Sequence, residues 1–308
     1  MPLLVLVVGP LAYDDVRTPG GRRVGLLGGS ATYASIAAAK YGPAGLVSVA
    51  GLDLNDNDLR LLRRIGVDVR GVERRDGRTL RWSGSYTDDF RRSEVRNTDL
   101  GVVNGWQPRI PDAFRDARFV FLANTDPRAQ LEALEQLRPD VVVLDTMEQW
   151  IRERRGLDMV LARATVLSVN TNELALITGI DDEARAAEII LERGPRAVIV
   201  KRGRAGAMLV TAEGVGSLPA YPAKVVDPTG AGDAFAGAFV GRLATLDSDD
   251  GAALRDAFTH GAAAASVTVE SFGVDALVRV DRSELDTRAV RLGARVGTGQ
   301  AAPMYEER

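Results

Sequence analysis

Cysteine is absent from the 308 residues, and histidine occurs once, at His260. The usual ligand sets for zinc, copper, haem or an iron–sulfur cluster are therefore missing, so a catalytic metal would have to be oxygen-ligated, as magnesium is. A disulfide framework is excluded on the same ground. No apolar run reaches the length of a membrane span, and residues 1–8 run straight into a short apolar strand without a basic n-region or a small-residue cleavage site. The expected address is the cytoplasm, with no membrane partner. Basic residues are not in excess either: 39 Lys and Arg stand against 42 Asp and Glu, so a nucleic-acid partner is not expected. Neither G-x-x-x-x-G-K-[ST] nor G-x-G-x-x-G occurs. That removes the main support for a P-loop enzyme and for a nicotinamide-dependent oxidoreductase.

What the chain does have is repeated βα alternation. Residues 3–8 form a Val-rich apolar run ending at Gly9-Pro10, and similar runs cover 46–49, 119–122, 141–144, 166–169 and 198–200. Continuous apolar runs of this length read as strands buried on both faces of a parallel sheet, with helical segments between them. Residues 69–103 differ, because polar residues alternate with Leu80, Trp82 and Tyr86; that pattern predicts exposed antiparallel strands of a small β lid. Residues 208–220 predict a hairpin turning at Glu213-Gly214, an antiparallel edge to the sheet. The stretches 30–41, 235–243 and 252–269 are helical and unusually rich in Ala and Gly, which predicts close packing between helices.

The segment 227–233 reads D-P-T-G-A-G-D and leads directly into the apolar helix AFAGAFVGRL. Gly230 and Gly232 allow a tight turn, and the free backbone N–H groups from Gly230 to Asp233, with Ala231 and Gly232 between them, form a cradle for an anion, reinforced by the helix dipole. A migrating phosphoryl group spreads charge over its equatorial oxygens, which such donors stabilise. Asp233 stands beside the cradle, where its carboxylate can take the proton of an attacking alcohol. The alternative for an isolated Asp in this position is a helix cap after a glycine turn.

The seven residues 227–233 with their apolar helix resemble the C-terminal signature of the ribokinase-like (PfkB) carbohydrate kinase family, D-T-x-G-A-G-D, with Pro228 in place of the usual Thr. Gly28-Gly29-Ser30 before an Ala-rich helix is similar to the family's N-terminal di-glycine signature. The resemblance covers nearly the whole chain and implies an ATP-dependent, magnesium-requiring kinase of a small alcohol. It implies that Asp14 binds acceptor hydroxyls, with Asp15 as a competitor for that role, and that Gly28 and Gly29 let backbone amides approach the acceptor. Tyr33 stands where the family commonly has Asn; the ring either stacks on a substrate ring or fills the packing face, and Trp82 and Tyr86 pose the same choice. Asn170 and Glu173 resemble the family's N-x-x-E element, which organises Mg2+ and its waters, although Asn followed by Glu at that spacing also approximates a capping box. Lys201 and Gly203 resemble the segment that contacts ATP, as do Thr229 and His260. Asp227 and Thr229 resemble positions whose carbonyls hold a monovalent cation, K+, in some members.

The expected architecture is one ribokinase-like α/β domain over residues 1–308. Its mainly parallel sheet carries helices on both faces, a small β lid comes from about 11–27 and 69–105, and a flexible tail covers 297–308. The expected function is phosphorylation of a sugar or sugar-like hydroxyl. A nucleoside kinase and a catalytically silent sugar- or nucleotide-binding sensor stand as alternatives, and the resemblance implies a homodimer through the lid.

Overall fold

The computed structural model describes residues 3–87, 90, 93–154, 156–294 and 297–298. In chain order, β1 (Val5–Val8), β2 (Ala12–Thr18) and β3 (Gly21–Gly28) precede α1 (Ser30–Ala39), and β4 (Ala44–Gly51), α2 (Asp56–Arg64) and β5 (Val67–Arg75) follow. Next come β6 (Leu80–Tyr86), β7 (Ser93–Asp99), β8 (Phe119–Leu122), α3 (Pro127–Glu135) and β9 (Val141–Asp145). The chain continues through α4 (Glu148–Glu153), α5 (Leu157–Leu161), β10 (Val166–Asn170), α6 (Thr171–Thr178), α7 (Glu183–Leu191) and β11 (Ala197–Lys201). It closes with β12 (Ala207–Thr211), β13 (Gly214–Leu218), α8 (Ala231–Leu246), α9 (Gly251–Thr268), α10 (Asp275–Arg279), α11 (Arg282–Gly293) and β14 (Gly297–Thr298).

Among the described residues the large sheet has ten strands in the order β14-β13-β12-β11-β10-β9-β8-β1-β4-β5. The seven strands from β11 to β5 in that order pair in parallel, and β12, β13 and β14 add the antiparallel edge. Each parallel strand except the edge strand β5 serves two cores. Val141, Val143, Val166, Ala197 and Ile199 face one apolar cluster together with α8 residues such as Phe235 and Phe239, while Val142, Leu144, Leu167, Val198 and Val200 face the other. This double burial is why these strands read as unbroken apolar runs.

A second sheet of four strands, in the order β3-β2-β6-β7, stands apart from the large one. Its strands fall within the segments expected to make the lid, with two corrections. Residues 69–75 belong to β5 and pair in parallel with β4 at the edge of the large sheet, because Val67 and Val69 are buried there against the main core. In addition, β2 and β6 pair in parallel, not antiparallel, because the chain leaves the second sheet after β3 and returns to it only after α1, β4, α2 and β5. The flexible tail expected over 297–308 lies outside the described residues, apart from β14, which pairs with Gly216 and Ser217.

The Ala- and Gly-rich helices pack as closely as their composition predicts. A Cβ on Gly237 would lie 2.2 Å from the Ala34 carbonyl oxygen, and one on Gly241 would lie 3.0 Å from the Tyr41 ring. Contacts advance together along both helices, from Tyr33 against Gly230 through Ala34 against Gly237 to Ala38 and Tyr41 against Gly241. The N-termini of α1 and α8 therefore lie at the same end of the molecule. Because backbone, and not a flexible side chain, opposes Gly237, Gly237→Ala should destabilise the protein by about 1–3 kcal/mol through overpacking. Urea denaturation would read this as a lowered midpoint at unchanged slope, and an unchanged midpoint would contradict the packing.

Candidate active site

Gly230 is the N-cap of α8, with φ at +76°, a conformation that L side chains rarely adopt. A Cβ there would also fall 2.4 Å from the Tyr33 ring. The loop before it is stapled by Asp227, whose carboxylate accepts the N–H of Thr229 (2.9 Å) and of Gly273 (3.3 Å). In the first turn of α8, the Ala231 N–H donates to the Pro228 carbonyl (3.2 Å), which turns one member of the expected cradle inward. The N–H groups of Gly232 and Asp233 have no backbone partner among the described residues and remain available to an anion.

Under that turn the strand ends change character. On the face toward α8, β9, β10 and β11 run apolar and then polar, ending in Asp145, in Ser168 and Asn170, and in Lys201. Register aligns Ser168 with Asp145 and Asn170 with Lys201. Lys201 Nζ lies 3.3 Å from both carboxylate oxygens of Asp145, with side-chain exposures of 17% and 6%. The ammonium also borders the helix, since a Cβ on Gly232 would meet Lys201 Nζ at 3.1 Å.

Asp233 points its carboxylate at this polar band and at a cavity of about 160 Å³. Burial, followed by the Asp145 carboxylate, pushes the Asp233 acid up to about 8, and Lys201 opposes the shift. Across the cavity Asp14, on β2, is pushed up to about 7 by burial, against the hydrogen bond it accepts from the Gly29 N–H. Gly28 makes room for it: a Cβ there would lie 1.9 Å from Asp14 Oδ2. Gly29, at φ +88°, is the N-cap of α1. Burial would lower the Lys201 amine, but Asp145, Glu173 and Asp233 outweigh it and hold the amine above its usual value, so it stays charged.

The remaining expected residues divide. Thr229 borders the cavity and bonds its hydroxyl to that of Tyr86 at 3.0 Å. Tyr33 is only 1% exposed, and its ring lies against Gly230, so it fills a packing position while its edge reaches the cavity. Asn170 and Glu173 form the complete capping box of α6, at 2.9 and 2.8 Å. Glu173 nevertheless lies close enough to feel Lys201 and Asp145, and burial lifts its acid to about 7. Gly203 sits just past β11 at φ +56° with open space around it. Asp15, the competitor of Asp14, instead accepts the Gly25 N–H at 2.8 Å on the exposed side of the second sheet. His260 is placed elsewhere. Its ring is buried against the Tyr41 hydroxyl (3.1 Å) between Asp256 and Asp286, and burial followed by Arg242 pushes it down to about 4, so it is a neutral packing group and does not border the cavity.

Three participants escaped the sequence reading. Asp145 ends β9, and Asn124 and Thr125 follow β8, both at the carboxyl ends of parallel strands, where ligands of α/β sheets collect. A polar residue closing an apolar run was the available signal. Asn124 accepts the Trp150 indole N–H (3.0 Å), and the buried Thr125 hydroxyl has no partner among the described residues. The cavity walls beyond Asp14 and Asp233 are largely apolar, with Trp82, Leu100, Val103, Met147 and Trp150 among them.

Comparison with known proteins puts this architecture among the ribokinase-like α/β kinases. The chain belongs to the pfkB family of carbohydrate kinases, whose family model matches residues 12–280. It is similar to a cytidine kinase of Thermococcus kodakarensis, 32% identical over 245 residues that cover 77% of this chain and 87% of the relative. In fold it is similar to a nucleoside kinase of Methanocaldococcus jannaschii, with a TM-score of 0.75 at 20% identity over 94% of this chain and 99% of the other. It is also similar to a putative ribokinase II of E. coli in complex with ATP and Mg2+, with a TM-score of 0.74 at 22% identity, covering 94% and 100%. No helix among the described residues is long and apolar enough to cross a membrane.

Asp14 and Asp233 hold protons in the folded state that the unfolded chain, titrating near 3.8, releases. The stability they contribute is fully present below the unfolded value and is lost as the pH rises through their folded values. Asp233→Asn should therefore raise the thermal midpoint of the ligand-free protein more at about pH 9 than at about pH 5. Equal shifts by calorimetry at both pH values would show that the carboxylate is not held in this way.

Proposed function

We propose that the protein transfers the terminal phosphoryl group of ATP to a hydroxyl of a small ribosyl compound, with Asp233 as general base. The observation that carries this reading is the convergence on one helical turn of an acceptor cavity, the Asp233 carboxylate, two unpaired N–H groups and the Lys201 ammonium. Asp14, backed by Gly28 and Gly29, accepts hydrogen bonds from the acceptor and orients the reacting hydroxyl toward Asp233. As the acceptor oxygen bonds to phosphorus and the bond to the ADP oxygen breaks, the acceptor proton passes to Asp233. The N–H groups of Gly232 and Asp233, with Gly230 setting the turn and Ala231 filling it, face the developing charge, and Lys201 adds the side-chain cation. Gly203 leaves the end of β11 open for nucleotide.

Mg2+ would supply neutralisation of phosphate charge. The residues fit an ion held mainly through ATP and water: Asn170 and Glu173 supply oxygen near Lys201, yet no group of three or more His, Cys, Asp or Glu among the described residues is arranged to hold a metal alone. The loop carbonyls around Asp227 and Thr229 are the candidate K+ ligands, while the Asp227 carboxylate is spent on the loop. The second sheet acts as a lid of one 1–308 domain, excluding water as a competing nucleophile, and its outer strands are the surface for a homodimer.

For the acceptor, a nucleoside is favoured over a free sugar. A free sugar presents hydroxyls on all sides, whereas this cavity offers Asp14 and Asp233 together with the apolar side chains of Trp82, Trp150, Leu100 and Met147, which suits a planar base attached to ribose. The likeness to a cytidine kinase supports the same choice. A pentose remains the second reading, because Asp14 suits vicinal hydroxyls in either case.

Asp233→Asn should lower kcat by about 10²–10⁴-fold with the fold intact; near-normal turnover would remove Asp233 from the role of base. Because the base must be unprotonated, kcat/KM should rise with pH through the elevated Asp233 value of about 8 instead of levelling off near 4. Asp145→Asn removes a repelling carboxylate and frees Lys201, so it should move that acid limb to lower pH, and a limb that stays in place would contradict the assignment. In an ADP-release assay, cytidine or another nucleoside should give a higher kcat/KM than ribose, and the opposite order would favour the sugar reading.

A further inference from the structure

Tyr86 is the last residue of β6, in the second sheet, and its hydroxyl meets that of Thr229 at 3.0 Å. Thr229 immediately precedes the Gly230 cap of α8. The loop it belongs to is gripped from two other directions, by the Asp227 carboxylate holding the N–H of Thr229 and Gly273, and by the Tyr33 ring under Gly230. Both of those grips come from the large-sheet body. The third comes from the second sheet, in a partly buried place that screens the hydroxyl pair from competing water. Tyr86 does not border the acceptor cavity, whereas Thr229 and Gly230 do. Elsewhere the second sheet meets the large body away from this loop, where the Tyr13 hydroxyl donates to Asp58 (2.7 Å) and Arg81 donates to Asp53 (2.8 Å), and beside the loop the Arg23 guanidinium lies 5.0 Å over the Phe272 ring while Gly273 packs near Leu26.

We propose that Tyr86 is a positioning residue for phosphoryl transfer: through Thr229 it fixes the turn that aims the Gly232 and Asp233 N–H groups, and it does so only while the second sheet is closed over the acceptor. The proposal rests on the kinase reading of residues 230–233. With the sheet withdrawn, Thr229 loses its outer partner, and the loop regains freedom at the positive-φ glycine next to it. Seating of the acceptor and completion of the anion-binding turn are then one event. With the sheet unclosed the bond is not made and the N–H groups stay unaimed, so phosphoryl transfer to water is slow and does not depend on either hydroxyl.

The test is a double-mutant cycle with Tyr86→Phe and Thr229→Val, each of which removes one hydroxyl and keeps the shape. A single hydrogen bond of this kind corresponds to about a two- to tenfold effect. Each single variant should lower kcat by such a factor with acceptor KM unchanged, and ADP released per acceptor phosphorylated should rise above that of the parent. The double variant should be no slower than the slower single one. Factors that multiply would overturn the proposal. So would a rise in acceptor KM at constant kcat, which would make Tyr86 a substrate contact instead. The same cycle on thermal midpoints reads the bond without turnover. Non-additive midpoints alongside a parent protein that releases no ADP with any acceptor would sink the kinase reading and spare the contact; additive midpoints alongside a parent that turns over would do the reverse.

Discussion

Everything in the site depends on how closely α8 begins to its neighbours. Its first turn is pressed between the Tyr33 ring, which leaves no room for a side chain at Gly230, and the Lys201 ammonium, which lies 3.1 Å from where a Cβ on Gly232 would stand. That approach is set farther along, where Gly237 and Gly241 let α1 and α8 touch backbone to backbone. Packing at this distance cannot be adjusted gradually, because protein interiors yield little to added volume. A positively polarised helix end is thereby fixed over a band of strand-end polar groups, and the electrostatics of the site follow from the geometry of the helix pair.

The charge balance is deliberate in its imbalance. Asp14, Asp145, Glu173 and Asp233 share a poorly solvated region with one side-chain cation, Lys201, and burial raises the proton affinity of all four carboxylates. Groups that sit uneasily together without ligand are suited to a ligand that brings cations of its own. In the proposed mechanism the burial that costs stability here also raises the proton affinity of the base, Asp233.

Legibility from sequence was uneven for physical reasons. Strands buried on both faces have to be continuously apolar, so β1, β8, β9, β10 and β11 were visible within a residue or two, and the glycine-rich turn before α8 was visible because few other residues can make it. Where the second sheet ends was not legible: β5 carries both buried valines and exposed arginines, and only its partner β4 decides its sheet. Asn170 and Glu173 were ambiguous because a helix cap and an oxygen site ask for the same residues at the same spacing, and the cap is what the geometry displays. His260 could not be placed from sequence because a position on an Ala-rich helix gives no information about which way the helix turns its side chain, and the ring packs against Tyr41. Asp145 was hidden in plain view, since one acid at the end of a valine run gains meaning only when register sets it beside Lys201.

The pairing of Gly28 with Asp14 has a consequence for how such a protein can change over generations. Because the carboxylate occupies the volume in which a β-carbon would otherwise stand, the two positions are a single unit of inheritance. Asp14 can be exchanged for a smaller residue while Gly28 persists, but the reverse order is closed. Drift at this corner therefore has a direction, in which loss of the acid opens the way to a larger neighbour and makes the acid's return progressively harder.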